Sequence, residues 1–256
     1  MAERRRAGGQ MTLLDHLDEL RTVLLQSLLV AGAAAVGGWF VSQRLLDLIV
    51  APMTAAGQQV YFSQPMEAFM TRMKVAGVAG LIVVLPFMLL RVYRFVAPGL
   101  YPRERKLVTP LLFASVALFY AGVAFAFLVM IPLVVKFMLG YATESVRPLI
   151  GIGPYFSFVA QTCLAFGLVF ELPVVVLLLS AAGLVGARTL WAGWRYAAVI
   201  IVVVAAVLTP PDVVSQLLMA VPVMALYLLS VGAALLLERS RRRAGPDGGR
   251  LPEDAG

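Results

Sequence analysis

The chain has 256 residues, 61% of them hydrophobic and 14% charged, with a formal net charge of +7. Soluble domains hold roughly 25% charged and about 45–50% apolar residues, so a mean hydropathy of +0.90 leaves more apolar surface than a soluble core can hide, and the bilayer becomes the solvent. One cysteine, Cys163, and one histidine, His16, exclude a disulfide framework, a Cys/His metal centre and the usual histidine-dependent membrane proteases. The basic residues cluster beside apolar runs, which points to membrane topology and away from nucleic acid.

Residues 1–10 are Arg- and Gly-rich and are expected to be disordered. Thr12-Leu13-Leu14-Asp15 then fits a helix-opening capping box. At about 100° per residue, Leu13, Leu17, Leu20 and Leu24 share one face, with Asp15, Asp18 and Glu19 on the other. One reading is an interfacial helix leading into the membrane. The other is that these carboxylates receive a basic partner, because an anionic membrane surface repels them. The first span covers about residues 22–41. Arg4–Arg6 ahead of it resemble an export signal, but the apolar stretch continues past Ala33 and an acidic stretch precedes it, so it reads as a retained span. The outer segment 42–73 is the longest connection, with interfacial helices expected around residues 45–50 and 67–70.

A second span is expected over 74–97, with Arg91 and Arg94 near its end. Pro98-Gly99 is turn chemistry and opens a tight loop whose only acid, Glu104, sits among Arg103, Arg105 and Lys106. Taken alone, Glu104 pairs with those neighbours, an interaction worth little at a surface. A third span covers about 107–135 and a fourth 155–182. Within the fourth lies Glu171, and a carboxylate at the centre of a membrane helix costs about 2.5–3.5 kcal/mol on insertion scales. Such a residue is functional or makes an interhelical hydrogen bond; Pro173 beside it removes a backbone donor and bends the helix. Spans 5 and 6 follow over 194–208 and 211–237. The apolar stretch 196–208 is roughly 20 Å long at 1.5 Å per residue, short of the bilayer core. Thr209-Pro210-Pro211-Asp212 reads as a helix start, with Thr209 as N-cap and Asp212 in the first turn. Gln216, one turn on, is an amide in apolar sequence that needs a partner across a helix interface. The charged segment after residue 237 is expected to be a disordered tail.

Of the 21 Lys and Arg residues, sixteen fall on the side of the termini and five on the other, which places both termini inside. No internal repeat is visible, and no phosphate-binding loop of the G-x-x-x-x-G-K-[ST] type occurs.

Taken together, His16-Leu17-Asp18-Glu19-Leu20-Arg21, Ala51-Pro52, Pro65-Met66-Glu67-Ala68-Phe69, Phe95-Val96-Ala97-Pro98-Gly99-Leu100-Tyr101, Glu104-Arg105, Phe170-Glu171-Leu172-Pro173 and Thr209-Pro210-Pro211-Asp212 with Ser215-Gln216 resemble the TatC family. Its members are core receptor subunits of the twin-arginine (Sec-independent) protein translocase. The motifs occur in family order over about residues 13–227. The chain departs from the family before Phe95, where Leu90-Arg91-Val92-Tyr93 replaces a Tyr-Gln-x-Trp stretch.

The resemblance implies an all-α polytopic membrane protein of six transmembrane helices, both termini cytoplasmic, with short spans 5 and 6. It divides into a cytoplasmic segment 1–21 with an amphipathic helix, a membrane domain 22–237 and a tail 238–256. It implies binding of the twin-arginine signal peptides of folded precursors through Glu19 and Glu104, since Arg–carboxylate pairs are bidentate and selective. Single-span partners of the TatA and TatB type would dock at Glu171, Thr209 and Gln216. Pro52, Glu67, Phe69, Phe95, Pro98 and Asp212 fall in structural or functional loops. The expected protein is no enzyme, holds no cofactor or metal, is homo-oligomeric within its complex, and works in the bacterial plasma membrane on the proton-motive force. The rival reading is a small-solute transporter that couples through Glu171.

Overall fold

The structure, a computed structural model, describes residues 13–96, 105–143, 148–181, 183–208 and 213–243. In chain order these form α1 (Leu13–Ala55), β1 (Val60–Tyr61), α2 (Pro65–Val96), α3 (Arg105–Phe125), a π-helical turn (Ala126–Met130), α4 (Ile131–Leu139), β2 (Ile150–Gly151), α5 (Ile152–Val169), α6 (Leu172–Ala181), α7 (Ala187–Ala192), α8 (Trp194–Leu208) and α9 (Val213–Arg243). Five helical spans among the described residues are long and apolar enough to cross a membrane: Leu25–Ala55, Pro65–Arg91, Pro110–Leu139, Ile152–Ala181 and Val213–Leu236. The shorter apolar helix is α8. Its 15 residues reach roughly 22 Å, below the roughly 30 Å of a hydrocarbon core, as the sequence predicts.

Three expectations need correcting. The chain does not break at residue 42: α1 is one helix of 43 residues, and the stretch around 45–50 is its continuation. Leu45, Leu46 and Ile49 pack on a cluster of Val75, Phe156 and Ala160, so burial carries the helix past Arg44 and Asp47. On the exposed side Gln43 donates to Asp47 one turn on, at 3.2 Å. Residues 67–70 likewise belong to α2, which opens on Pro65, where a missing N–H costs nothing and the fixed φ suits a first turn. The outer connection shrinks to residues 56–64. Finally, span 6 is not short. α9 has 31 residues, because its sequence stays apolar to Leu236 and α6, α7 and α8 all pack along it.

Two other irregularities follow from proline. The third span passes through the π-helical turn immediately before Pro132, which lies in the first turn of α4. A proline inside a helix frees the carbonyl four residues back and crowds it, and a wider turn relieves both problems. The fourth span breaks at Phe170–Glu171, just ahead of Pro173, as predicted. There Glu171 N–H donates to Leu168 O at 3.1 Å, and the Glu171 carbonyl accepts from Val175 at 2.9 Å.

The span formed by α5 and α6 is the most enclosed of the five, and α1 the least. The main core gathers Ala126, Met130 and Ile131 of the third span, Val159, Cys163 and Phe166 of α5, Ile201 and Ala205 of α8, and Met219 of α9. α1 and α2 make the most extensive pairing, an antiparallel hairpin. In lipid the hydrophobic effect does not drive helices together, so close backbone approach must supply dispersion contact. Gly38 and Gly80 provide it: a Cβ on Gly38 would lie 2.8 Å from the Ala76 carbonyl oxygen, and one on Gly80 2.5 Å from the Ala35 nitrogen. Gly77, on another face of α2, would meet nothing within 4 Å. Gly80→Val is therefore expected to wedge the hairpin apart and destabilise the protein by about 1–3 kcal/mol, read as a lower thermal unfolding midpoint in detergent. Gly77→Ala should leave that midpoint unchanged.

Candidate functional site

Glu171 lies in the break between α5 and α6 and is 4% exposed. The Ser115 hydroxyl, on α3 and itself buried, donates to Glu171 Oε2 at 2.7 Å. Aromatic packing against the same helix also holds the break. Phe125 of α3 sits 5.5 Å from the Phe166 ring and 5.6 Å from the Phe170 ring. Gly122 and Gly167 allow this approach, since a Cβ on Gly122 would fall 2.5 Å from the Phe166 carbonyl oxygen and one on Gly167 2.8 Å from the Phe119 ring. The carboxylate is thus seated at the α3–α6 contact, with polar contact from an adjacent helix as the alternative to hydrocarbon.

Gln216, on α9, donates through Nε2 to the Val202 carbonyl of α8 at 3.0 Å. That is the interhelical partner its amide was expected to need, although the partner lies within the chain. Glu171 and Gln216 therefore engage different neighbours, α3 and α8. Thr209, Pro98, Glu104 and Asp212 lie outside the described residues. Glu19 lies in the second turn of α1, and Phe95 is the penultimate residue of α2; only their backbone positions are described.

Glu67 has a definite role. In the first turn of α2, its Oε2 accepts from the Ser63 backbone N–H at 2.7 Å, and its Oε1 accepts from the Gly153 N–H at 3.0 Å. The first bond caps its own helix; the second reaches the N-terminal turn of α5. A Cβ on Gly153 would sit 3.0 Å from that oxygen, so a glycine keeps the approach open. The same end of the bundle carries the parallel pairing of Val60 with Ile150 and Tyr61 with Gly151. Tyr155 adds a third tie by donating its hydroxyl to the Ile49 carbonyl of α1 at 3.0 Å. Pro52 lies inside α1, where it withdraws the N–H that the Leu48 carbonyl would otherwise take. Phe69 meets Trp39 edge-on at 5.9 Å, and Arg72 lies 5.4 Å over the same Trp39 ring.

Sequence reasoning missed four residues: Ser115, Tyr155, Tyr227 and Glu238. Tyr227 donates to the Leu190 carbonyl at 2.7 Å, and Glu238 Oε1 accepts the Ala187 N–H at 2.6 Å. Both come from α9 and grip the two ends of α7. Glu238 is a carboxylate at a helix start, where the dipole favours it; an acid just past the last apolar stretch was the available signal. Among the described residues no group of three or more His, Cys, Asp or Glu side chains comes together to hold a metal.

Residues 15–222 match the family model described as Sec-independent protein translocase protein (TatC). The chain belongs to the TatC family. It is 37% identical over 229 residues to the Sec-independent protein translocase protein TatC of Carboxydothermus hydrogenoformans, covering 89% of this chain and 94% of that one. It is 40% identical over 220 residues to the chloroplastic TATC of Arabidopsis thaliana, covering 86% of this chain and 65% of the relative. A crystal structure titled twin arginine translocase receptor TatC superposes with a TM-score of 0.80 at 31% identity, covering 88% of this chain and all of that one. The chain is accordingly a multi-pass TatC-fold subunit of a protein translocase, a transport protein and not an enzyme. Membership displaces the small-solute transporter reading.

Within this TatC chain Glu67 is the residue that ties separate segments together. Glu67→Ala is expected to loosen the end of the bundle it holds, seen as faster backbone hydrogen exchange across 60–64 and 150–153 with the α3–α6 contact unaffected. Glu67→Gln should fall between, because an amide oxygen can still accept one of the two N–H donors.

Proposed function

We propose that the chain receives the twin-arginine signal peptides of folded precursors at the cytoplasmic face of a bacterial plasma membrane, with Glu19 and Glu104 as the carboxylates that meet the paired arginines. The observation that carries this reading is the register of the α1–α2 hairpin. Gly38 packs at Ala76, and Arg91 donates to the Gln26 side-chain oxygen Oε1, so the turn bearing Glu19 and the C-terminal end of α2 lie at one end of the bundle. Glu104 immediately precedes Arg105, the first residue of α3. Acids at these two positions in the chain would suit a ligand whose signature is two adjacent guanidinium groups, each able to form parallel N–H···O bonds that an ammonium cannot reproduce.

The excess of Lys and Arg on this side supports a cytoplasmic location for both termini. Single-span TatA- and TatB-type partners would dock along the fifth and sixth spans. The short α8 supports this, because a helix that cannot span the core alone favours association or local thinning. Glu171, Thr209 and Gln216 are the polar positions assigned to that contact. The proton-motive force would drive export, and several copies of the chain would act together in the complex.

In membranes containing a twin-arginine precursor with a photocrosslinker beside its arginines, Glu19→Ala and Glu104→Ala should each reduce adducts to this chain at least tenfold, an order set by losing one charge-assisted bidentate pair. Undiminished crosslinking in the double variant would sink the carboxylate assignment. Glu171→Ala should insert normally yet fail in export or partner co-purification. Normal export by that variant would reduce Glu171 to a structural group.

A further inference from the structure

One arginine is not absorbed by this reading. Arg91 stands near the α2 end of the hairpin, and beside it a groove of about 710 Å³ runs between α2 and α3. Its walls are Phe87 and Leu90 on one side and Leu112, Phe113 and Val116 on the other. At the far end the Tyr120 hydroxyl donates to the Val83 carbonyl at 3.4 Å and bridges the two helices. From Leu112 to Tyr120 the groove extends about 12 Å along the helix. We propose that this groove holds an anionic phospholipid, with its phosphate on Arg91 and an acyl chain along the apolar walls. This rests only on the chain spanning a membrane and is independent of the signal-peptide assignment.

Charge and shape both favour that occupant. The Arg91 guanidinium lies 5.1 Å over the Phe87 ring and donates to Gln26. These contacts hold it at the mouth of the groove but supply no negative charge. Among the described residues no carboxylate pairs with it. A guanidinium carries five N–H donors in a planar fork that matches phosphate, and near the end of a membrane span it reaches the headgroup layer. The walls below are hydrocarbon, with Phe113 76% exposed. The volume lies within the roughly 300–1,000 Å³ of sites that enclose small ligands. A soluble anion would leave those walls wet, and a neutral apolar helix would leave the guanidinium without a counter-charge.

Native mass spectrometry on the full chain, delipidated in detergent and titrated with phosphatidylglycerol, tests this. Wild type should retain one phosphatidylglycerol in preference to phosphatidylcholine, and added salt should weaken it. Arg91→Gln should lower the apparent affinity roughly tenfold, as expected for one charge-assisted contact. Ala117→Trp, which fills the groove from an exposed wall position, should abolish retention. Arg195→Gln, an arginine elsewhere on the surface, should bind as wild type. Monodispersity and an unchanged unfolding midpoint establish that each variant folds. Wild-type affinity in Arg91→Gln, equal binding of phosphatidylcholine, or displacement by glycerol 3-phosphate at matched concentration would overturn the proposal. So would a photocrosslinker at Phe113 that captures a protein segment and no lipid in membranes.

Discussion

Hydrocarbon offers no hydrogen bonds, so every polar atom placed within it must find a partner on the protein. That constraint organises this fold. Ser115 donates to Glu171, Gln216 to the Val202 carbonyl, Tyr155 to the Ile49 carbonyl and Tyr227 to the Leu190 carbonyl. Each bond joins two helices that no loop connects directly, except α8 and α9. The apolar surface between them is interchangeable in energetic terms, since lipid tails solvate Leu and Val as well as other side chains do. What selects one helix arrangement is where the few polar groups can meet, and how closely glycines at 38, 80, 122 and 167 let the backbones come. In water the same residues would add modestly to a core fixed by burial; here they set its geometry.

The broken fourth span shows how that constraint produces a site. Pro173 interrupts a helix that is otherwise the most enclosed of the bundle. The interruption displaces Glu171 out of a regular helical turn and toward α3, where Ser115 is already buried. The Phe125, Phe166 and Phe170 rings fill the space that the bend opens on the α3 side. An acid in this position is held in a defined direction, toward the Ser115 hydroxyl on α3. A surface acid without such a contact would be screened by solvent.

The number and rough position of the spans were legible because hydropathy over about twenty residues reports directly on the bilayer. Glu171 was legible for the complementary reason: a charge in such a run is costly and so informative. The length of α1 was not. Arg44, Asp47 and Pro52 read locally as an exit from the membrane, whereas Leu45, Leu46 and Ile49 continue a buried face whose partners lie on α2 and α5. The i, i+1, i+4 spacing was present, but only contact with Val75 and Phe156 gives it weight. Ser115 and Tyr155 were invisible for a similar reason. Their acceptors lie 56 and 106 residues away in the chain, and a serine or tyrosine in a span announces nothing until its neighbour is known. Glu67 lay between these cases: its place near a proline marked a helix start, while its second bond to Gly153 came from the fold.

The two ends of the bundle are built to different rules, and the difference bears on function. The end holding Glu67 is cross-tied by a backbone strand pair, a carboxylate that bridges two helix starts, and the Tyr155 hydroxyl on α1. These ties join α1, α2 and α5 independently of the helix packing in between. Among the described residues at the opposite end, α9 holds α7 through Tyr227 and Glu238, and α1 meets α2 through Arg91 and Gln26. A receptor needs one end whose geometry is fixed, so that a ligand arriving at the other is read against a stable frame. Placing these cross-ties at the Glu67 end keeps α1, α2 and α5 in register there, which is the stable frame that such a reading requires.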